Sequence, residues 1–577
     1  MSCLTKGLDS FKIEIMSKVT AFVLPRLRAV GIIVVLVLAI YGLVAYNRAH
    51  QTALEMTLAD GTPAARDAAV AGLVENGRLA DTLVNTQNPD EDAKSLHNVR
   101  SLAIRKNATD SVNRLSASGK ITPEQAFDTL FLICKDSGVG IKPAAETGLT
   151  ALAGKSNANL NAVVSRLSNG DPDIRGAAVD VLGQIGGAKT ASAVDTVLSN
   201  TAAQDSAIAA LQKIGAPSVP LIVAHLEDPA AANDIAFRQQ MVGVLDAIAS
   251  PSSLPELTKI AGQTAQPSVQ RLAQVALADT VLSVFKSVQT AKDGVLAAKD
   301  PAAKMAAQTA LAKANADLPA VQSAEPTLRG ILGNVGAESE SRAQAALALG
   351  QYATPTAIGT LVTGLGDFDA QVRDASASGL QASGVPAVGP LAKALTLGGA
   401  LKSAAAAQAL GGIGTPAAVA SLTQVFQSLS TPNAVRESAV VGLGRSGDPS
   451  VIPTLVKALG DPDGVVSSTA QTALLTPALA KPAIPALVAA LSLPTPMPFN
   501  AAETLARMGA LAESDVVPRL TQTIATGNAP SQTWAAVTLG EIGTKSAPVL
   551  TALQGLSKSA NPQVQYAASQ SLLKLAE

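Results

Sequence analysis

The apolar positions between Gly170 and Gly186 recur at the spacing of an α-helix. In GDPDIRGAAVDVLGQIG they fall at i, i+4, i+7, i+8 and i+11 from Ile174, which places them on one helical face. A Gly-Asp-Pro turn precedes this helix, Asp173 is its predicted cap, and Gly186 is expected to end it in a left-handed conformation. Because such a short helix is marginal by itself, the pattern predicts that it packs against neighbouring helices.

The same pattern returns along the chain with a period of thirty-odd residues. The positions that match Gly186 are Gly77, Ala153, Gly215, Ala249, Ala353, Gly384, Gly414, Gly447, Ala478, Gly509, Gly543 and Ala576. Between Ala153 and Ala249 the successive spacings are 33, 29 and 34 residues, and from Ala353 onward they stay between 30 and 34. This period predicts an all-α fold, an α-solenoid of about fifteen helical-hairpin repeats.

A column of cations stands eleven positions before most of these helix ends. Its members are Arg66, Arg100, Lys142, Arg175, Arg238, Arg271, Arg342, Arg373 and Arg436. Acidic turn residues lie close by in the sequence, so we interpret the column as a structural ladder of ion pairs between repeats. The alternative is a row of cations on the inner face that grips an acidic partner.

The repeated segments resemble the HEAT repeat, in the short variant also seen in phycobilisome lyase subunits. The resemblance rests on a first helix such as VIPTLVKALGDPD (Val451–Asp463), an Asp-Pro turn, and second helices such as SAVVGLGRSG and AVDVLGQIG. It covers most of residues 50–577. It implies a right-handed superhelix whose concave face, lined mainly by second helices, binds other proteins, and it does not imply one activity.

The period breaks between Leu282 and Ala353. An Ala-rich stretch there, with Pro301 in the first turn of its second half, predicts two long antiparallel helices inserted at residues 283–330. An insertion in a regular scaffold is a candidate for a dedicated contact. The partner-binding candidates on this hairpin are Lys286, Lys292, Lys299, Lys304 and Lys313.

The segment Ala29–Tyr46 carries no charge over eighteen residues, close to the length that spans a bilayer. It predicts a retained transmembrane helix; a cleaved signal peptide and a buried core helix are the alternatives. Cations precede the segment, so the amino terminus is expected in the cytoplasm and the repeats outside it, in the periplasm if the source is bacterial. The predicted anchor residues are Ala29, Ile32, Val35, Leu38, Tyr41 and Tyr46.

These patterns divide the chain into six parts. They are an amphipathic cytoplasmic leader (1–28), the transmembrane helix (29–46), degenerate repeats (47–157), HEAT-like repeats (158–282), the inserted hairpin (283–330) and regular repeats (331–577).

Composition and motifs argue against catalysis, metal binding and nucleic-acid binding. Apolar residues make up 47% of the chain but aromatic residues only 2%, and the formal net charge is −1, so nucleic acid is not an expected partner. The two cysteines exclude a disulfide framework, and no two of the three histidines lie near each other. The GLGRSG match to a nucleotide-binding motif coincides with a helix end, and Trp534 is assigned to the core.

The sequence therefore predicts a membrane-anchored scaffold that binds protein partners through its concave face and its hairpin, without catalysis, metal or cofactor. Two alternatives remain open. One is an adaptor whose repeats face the cytoplasm, and the other is a chromophore lyase-like attachment factor.

Overall fold

The chain is described by a computed structural model at residues 53–75, 96–136, 138–200, 203–428 and 430–576. Side chains are described throughout these ranges except at 96–101 and 510–512. The described residues form α-helices and short 3₁₀ turns and contain no β-strand. The described residues up to Ile214 form one compact unit, and those from Gly215 to Ala576 form a second.

The first unit consists of helix pairs. The second helix of each pair contacts the second helix of the following pair. Besides helical residues 53–60, its helices are α1 (Pro63–Glu75), α2 (Leu96–Ala117), α3 (Pro123–Ile133), α4 (Ile141–Ala153), α5 (Asn157–Val164), α6 (Pro172–Ile185), α7 (Ala188–Asp195) and α8 (Gln204–Ile214). Helices α2, α4, α6 and α8 contact one another in that order, as stacked hairpin repeats require.

The second unit repeats this arrangement over a longer stretch. Its helices are α9 (Val219–Glu227), α10 (Ile235–Ile248), α11 (Leu254–Ala261), α12 (Pro267–Ala297), α13 (Pro301–Ala316), α14 (Leu318–Gln322), α15 (Glu325–Gly333), α16 (Ser339–Tyr352), α17 (Pro355–Gly364), α18 (Ala370–Ser383), α19 (Val388–Leu397), α20 (Gly399–Ile413), α21 (Pro416–Gln427), α22 (Asn433–Ser446), α23 (Ile452–Ala458), α24 (Gly464–Leu474), α25 (Ala480–Ala490), α26 (Met497–Thr526), α27 (Ala529–Ile542), α28 (Ala547–Leu556) and α29 (Pro562–Ala576).

Two rows of helices run through this second unit. In the row that we call the B row, consecutive members contact one another; they are α10, α12, α16, α18, α20, α22, α24, α26, α27 and α29. On the other side, α15, α17, α19 and α21 contact one another in the same way and belong to the A row. The all-α, solenoid-like fold expected from the period is therefore present within this unit.

The helix α6 shows how a repeat begins and ends. Its cap is Asp171, not Asp173 as predicted: the Asp171 carboxylate accepts a hydrogen bond of 3.0 Å from the Asp173 backbone N–H, with Pro172 as the first helical residue. The helix ends at Gly186 as predicted, and its φ of 71° is positive, but its ψ of 176° lies outside the left-handed helical conformation that was expected there.

Glycines in the B row allow consecutive helices to approach closely. A Cβ placed on Gly350 would lie 2.4 Å from the Cα of Gly379, and one placed on Gly379 would lie 2.5 Å from the carbonyl oxygen of Ala346. The same pattern recurs one pair later: a Cβ on Gly411 would lie 2.3 Å from the carbonyl oxygen of Gly442, and one on Gly442 would lie 2.6 Å from that of Ala407. The glycine inside the repeated Leu-Gly tags therefore serves backbone packing between repeats, in addition to the glycine that ends each helix.

Two B-row helices are much longer than the repeat predicts. The helix α26 has 30 residues and runs through Gly509, so the helix end predicted there is wrong. The helix α12 has 31 residues and begins at Pro267, ahead of the predicted insertion; α13 begins at Pro301 and packs against it.

The predicted localisation is corrected by the structure. Within the described ranges, no single helix is long and apolar enough to cross a lipid bilayer. By this finding, the prediction of a single-pass membrane protein with extracytoplasmic repeats is wrong. The predicted span 29–46, with Ala29, Ile32, Val35, Leu38, Tyr41 and Tyr46, and the leader 1–28 lie outside the described residues.

Candidate protein-binding face

The cation column lies at the beginning of the second helix of each repeat, where its side chains can reach the turn before that helix. Arg175 donates to the carbonyl oxygens of Asn169 and Gly170 at 2.6 and 2.9 Å, and Arg238 donates to that of Leu226 at 2.6 Å. These arginines satisfy carbonyl groups that the preceding helix and turn leave unpaired. Arg66 and Arg373 do the same in their own repeats.

Two members of the column also bridge consecutive repeats. Arg342 forms an ion pair with Asp367 of the next turn, with side chains 1% and 6% exposed, and its guanidinium lies 4.8 Å from the ring centre of Phe368. Arg436 pairs with Asp461 at 2.7 Å in the same way. Both guanidinium groups are buried, so neither is available to grip a partner.

The remaining members differ from one another. Lys142 lies 3.4 Å from Asp180 of the following repeat and 3.6 Å from Glu146 of its own helix. Arg271 is exposed, and the side chain of Arg100 lies outside the described residues. Some members of the column thus form hydrogen bonds within their own repeat, and others form ion pairs with the next repeat. The sequence spacing alone does not show which member does which.

The five hairpin lysines all lie on exposed positions of α12, α13 and the loop between them. They are Lys286, Lys292, Lys299, Lys304 and Lys313. In the described part of the chain none of them has an acidic oxygen within 4 Å. Leu296 and Met305, near the same loop, are also exposed. The hairpin therefore presents exposed lysines along its length and exposed apolar side chains near its loop.

A further set of side chains, which the sequence analysis missed, runs along the B row. They occupy the position nine or ten residues before each repeat end and face solvent fully or partly. From α18 to α29 they are Asp374, Ala404, Glu437, Ser468, Phe499, Trp534 and Tyr566. We call this set the outward ridge. It is acidic in its first half and aromatic in its second.

The aromatic half of the ridge concentrates a residue type that is scarce in this chain. Phe499 is 55% and Tyr566 68% exposed. The rings of Phe499 and Trp534 meet edge to face, with centres 6.0 Å apart. Trp534 is thus only partly buried, which corrects its assignment to the core. The signal available in the sequence was that Phe499 and Tyr566 fall ten residues, and Trp534 nine residues, before a repeat end.

Carboxylates also face each other at the beginning of the B row. Asp246, Asp279 and Glu340 come from the three consecutive members α10, α12 and α16. Burial raises the pKa of Asp279, and the negative charges of Asp246 and Glu340 raise it further; burial also raises the pKa of Asp246. The charges of Asp246 and Glu340 therefore oppose the ionisation of Asp279.

Catalytic groups do not assemble in the described parts of the chain. No three histidine, cysteine or acidic side chains there are placed to hold a metal ion. Burial and the nearby Glu146 carboxylate raise the pKa of Cys134 to about 12, so its sulfur stays protonated at neutral pH. In the GLGRSG segment, Gly442 packs on the neighbouring helix and Gly447 ends α22, in agreement with a repeat tag.

Comparison with known proteins identifies one stretch directly. Residues 390–475, from α19 to α24, match the family model of HEAT repeats. No curated protein matches the sequence.

Among solved structures the chain is similar to importin beta, at 16% identity over 91% of this chain and 78% of that one, with a TM-score of 0.32. It is also similar to Kap121p bound to Nup53p, at 13% identity over 90% and 67% of the two chains, with a TM-score of 0.34. Human deoxyhypusine hydroxylase matches 57% of this chain and 98% of its own at 19% identity, with a TM-score of 0.21. At these scores the likenesses carry no argument about function.

Proposed function

We propose that the chain is a protein-binding scaffold that presents the B row of its second unit to partner proteins. The observation that carries the proposal is the outward ridge, where solvent-facing carboxylates give way to exposed aromatic rings on consecutive helices. Aromatic residues are enriched in protein interfaces and supply much of their binding energy. Catalytic chemistry is not needed for this role, and the absence of an enzymatic activity stays a prediction.

A second contact on the hairpin also belongs to the proposal. The exposed lysines along α12, α13 and their loop, together with the exposed Leu296 and Met305 near that loop, make the hairpin a second candidate surface. Such a surface suits an acidic patch on a partner, since charge complementarity favours association and selects among partners.

Site-specific photocrosslinking tests which face binds. A benzophenone amino acid is placed at Val441 or Thr472 in the B row, and at Thr363 or Lys393 in the A row, all of which are exposed. We expect adducts with the same partner proteins from both B-row positions and few from the A-row positions. Equal adduct yields from the two rows would contradict a dedicated B-row face.

The hairpin contact is tested by replacing its five lysines with glutamine and repeating the crosslinking at a hairpin position, Met305. We expect hairpin adducts to decrease in the glutamine variant and to persist in a matched variant with five arginines, which keeps the charge. An undiminished adduct in the glutamine variant would remove the hairpin from the proposal.

A further inference from the structure

We infer that the outward ridge binds an extended protein segment whose first part carries Lys or Arg and whose second part is apolar. This inference rests on the proposed function, because it names the partner chemistry of the same B-row face. It concerns the ridge from Asp374 on α18 to Tyr566 on α29, which lies wholly within the second unit.

The acidic half of the ridge determines the charge of the partner. Asp374 faces solvent fully and Glu437 partly, and neither has a cationic nitrogen within 4 Å in the described ranges. The arginines that begin the same helices do not neutralise them: Arg373 donates to turn carbonyls, and Arg436 is paired with Asp461. The two carboxylates therefore remain available to cationic side chains of another molecule.

The aromatic half of the ridge determines the chemistry of the second part of the segment. Phe499 and Trp534 form one edge-to-face pair, and Tyr566 stands on the next B-row helix. Two charged groups on or beside these helices have partners within the chain: Lys574 lies 2.5 Å from Glu541, and Gln471 donates to Glu503 at 3.0 Å. Apolar side chains can pack on such rings, and a further Lys or Arg can stack on them through a cation–π contact.

The length of the ridge fits an extended segment. The seven ridge helices are consecutive in the B row, and packed helices lie about 8–10 Å apart, so the ridge spans roughly 50–60 Å. An extended chain advances about 3.3 Å per residue, so a segment of roughly 16–18 residues covers it. A short charged peptide could reach only one half.

The test is fluorescence anisotropy of the full chain with a labelled 18-residue peptide. Four arginines alternate with serines in one half of the probe, and four leucines alternate with serines in the other. We expect the arginines to be essential, with a probe carrying glutamates in their place binding at least about tenfold more weakly at low salt. Equal affinity for the two probes, or no binding of the arginine probe at millimolar concentration, would overturn the inference.

Variants of the ridge locate the binding. The double variant Asp374→Asn/Glu437→Gln is expected to bind the arginine probe with about three- to tenfold lower affinity. The salt dependence of binding should also decrease. Trp534→Ala is expected to lower the affinity by about tenfold or more. The matched controls, Asp293→Asn on the hairpin and Leu397→Ala at an exposed A-row position, should leave the affinity unchanged. Ridge variants that behave like these controls would also overturn the inference.

A second copy of the chain is the competing occupant, because its hairpin lysines are also cationic. Sedimentation velocity distinguishes the two: self-association that is lost in both the Asp374→Asn/Glu437→Gln variant and the five-glutamine hairpin variant would replace the inferred partner. Photocrosslinks that remain in the B row while the ridge shows no preference for arginine would reject the inference but leave the proposed function standing.

Discussion

The repeats of α16 to α22 and the repeats of α26 and α27 meet the same structural need with different chemistry. In both, a side chain near the beginning of the second helix donates to a carbonyl group at the end of an earlier helix or turn. In the earlier repeats that donor is an arginine, as in Arg373 and Arg436. In the later repeats it is a neutral amide: Gln532 donates to Ile524 of the preceding helix at 3.0 Å, and Asn500 donates at 2.7 Å to Leu459, at the end of α23, one repeat earlier.

The difference teaches how one scaffold carries two kinds of surface. Where the inner donor is an arginine, the neighbouring outward residue is acidic at Asp374 and Glu437. Where the inner donor is neutral, the outward residue is aromatic. The backbone geometry stays the same because an amide and a guanidinium both satisfy a carbonyl, so the surface changes without a change of fold.

The largest expected effect comes from breaking a buried ion pair of the earlier repeats. Arg342→Met leaves Asp367 buried without its cation, which should reduce the free energy of unfolding by about 3–5 kcal/mol. Hydrogen exchange of residues 339–383 should show the loss locally. Arg373→Met, where no ion pair is broken, should cost far less; equal losses would mean that the pair with Asp367 is unimportant.

A smaller loss is expected from the close helix contact. Gly379→Ala would bring a methyl group against the Ala346 carbonyl, at a cost of about 1–3 kcal/mol. Gly359→Ala is the matched control, because no atom lies within 4 Å of the added methyl in α17 and helix propensity alone should stabilise it by about 0.5–1 kcal/mol. Urea unfolding midpoints that shift in the same direction would contradict the close contact.

The neutral donor of the last repeats should be worth less than the ion pair. Gln532→Ala removes one hydrogen bond to Ile524, which should destabilise the repeat by about 1 kcal/mol. The only tryptophan, Trp534, lies two residues away and reports this loss through its fluorescence during unfolding. Gln565→Ala, at an exposed position, should leave that transition unchanged.

The smallest effect has the opposite sign. Because the pKa of Asp279 is raised in the folded chain, its ionisation opposes folding as the pH rises through that pKa, and the penalty disappears below the unfolded value. Asp279→Asn should therefore raise the melting temperature slightly at pH 7. The gain should vanish as the pH falls towards 4. If the increase in melting temperature did not depend on pH, it would come from packing and not from the charge of Asp279.

The sequence allowed the period, the all-α class and the helix end at Gly186 to be predicted, because each depends on local spacing and backbone preference. The cap was misplaced by two residues because Asp171 and Asp173 have the same chemistry, and only the start of the helix decides between them. Trp534 was assigned to the core because the type of an apolar residue in a helix does not by itself show whether its side chain is buried or exposed. The glycine contacts depend on the distance between helices, which one repeat does not encode.

The helix α26 joins two neighbouring repeats without a turn between them. Its 30 residues extend for about 45 Å without the flexible turn that separates the two helices of the other repeats. Under mechanical load we expect these two repeats to unfold together, in one event with about twice the extension of a single repeat. The regular repeats before them should unfold one at a time. The mechanically resistant part of the chain would thus be α26 itself, which carries Phe499 in its first turn, where the aromatic half of the ridge begins.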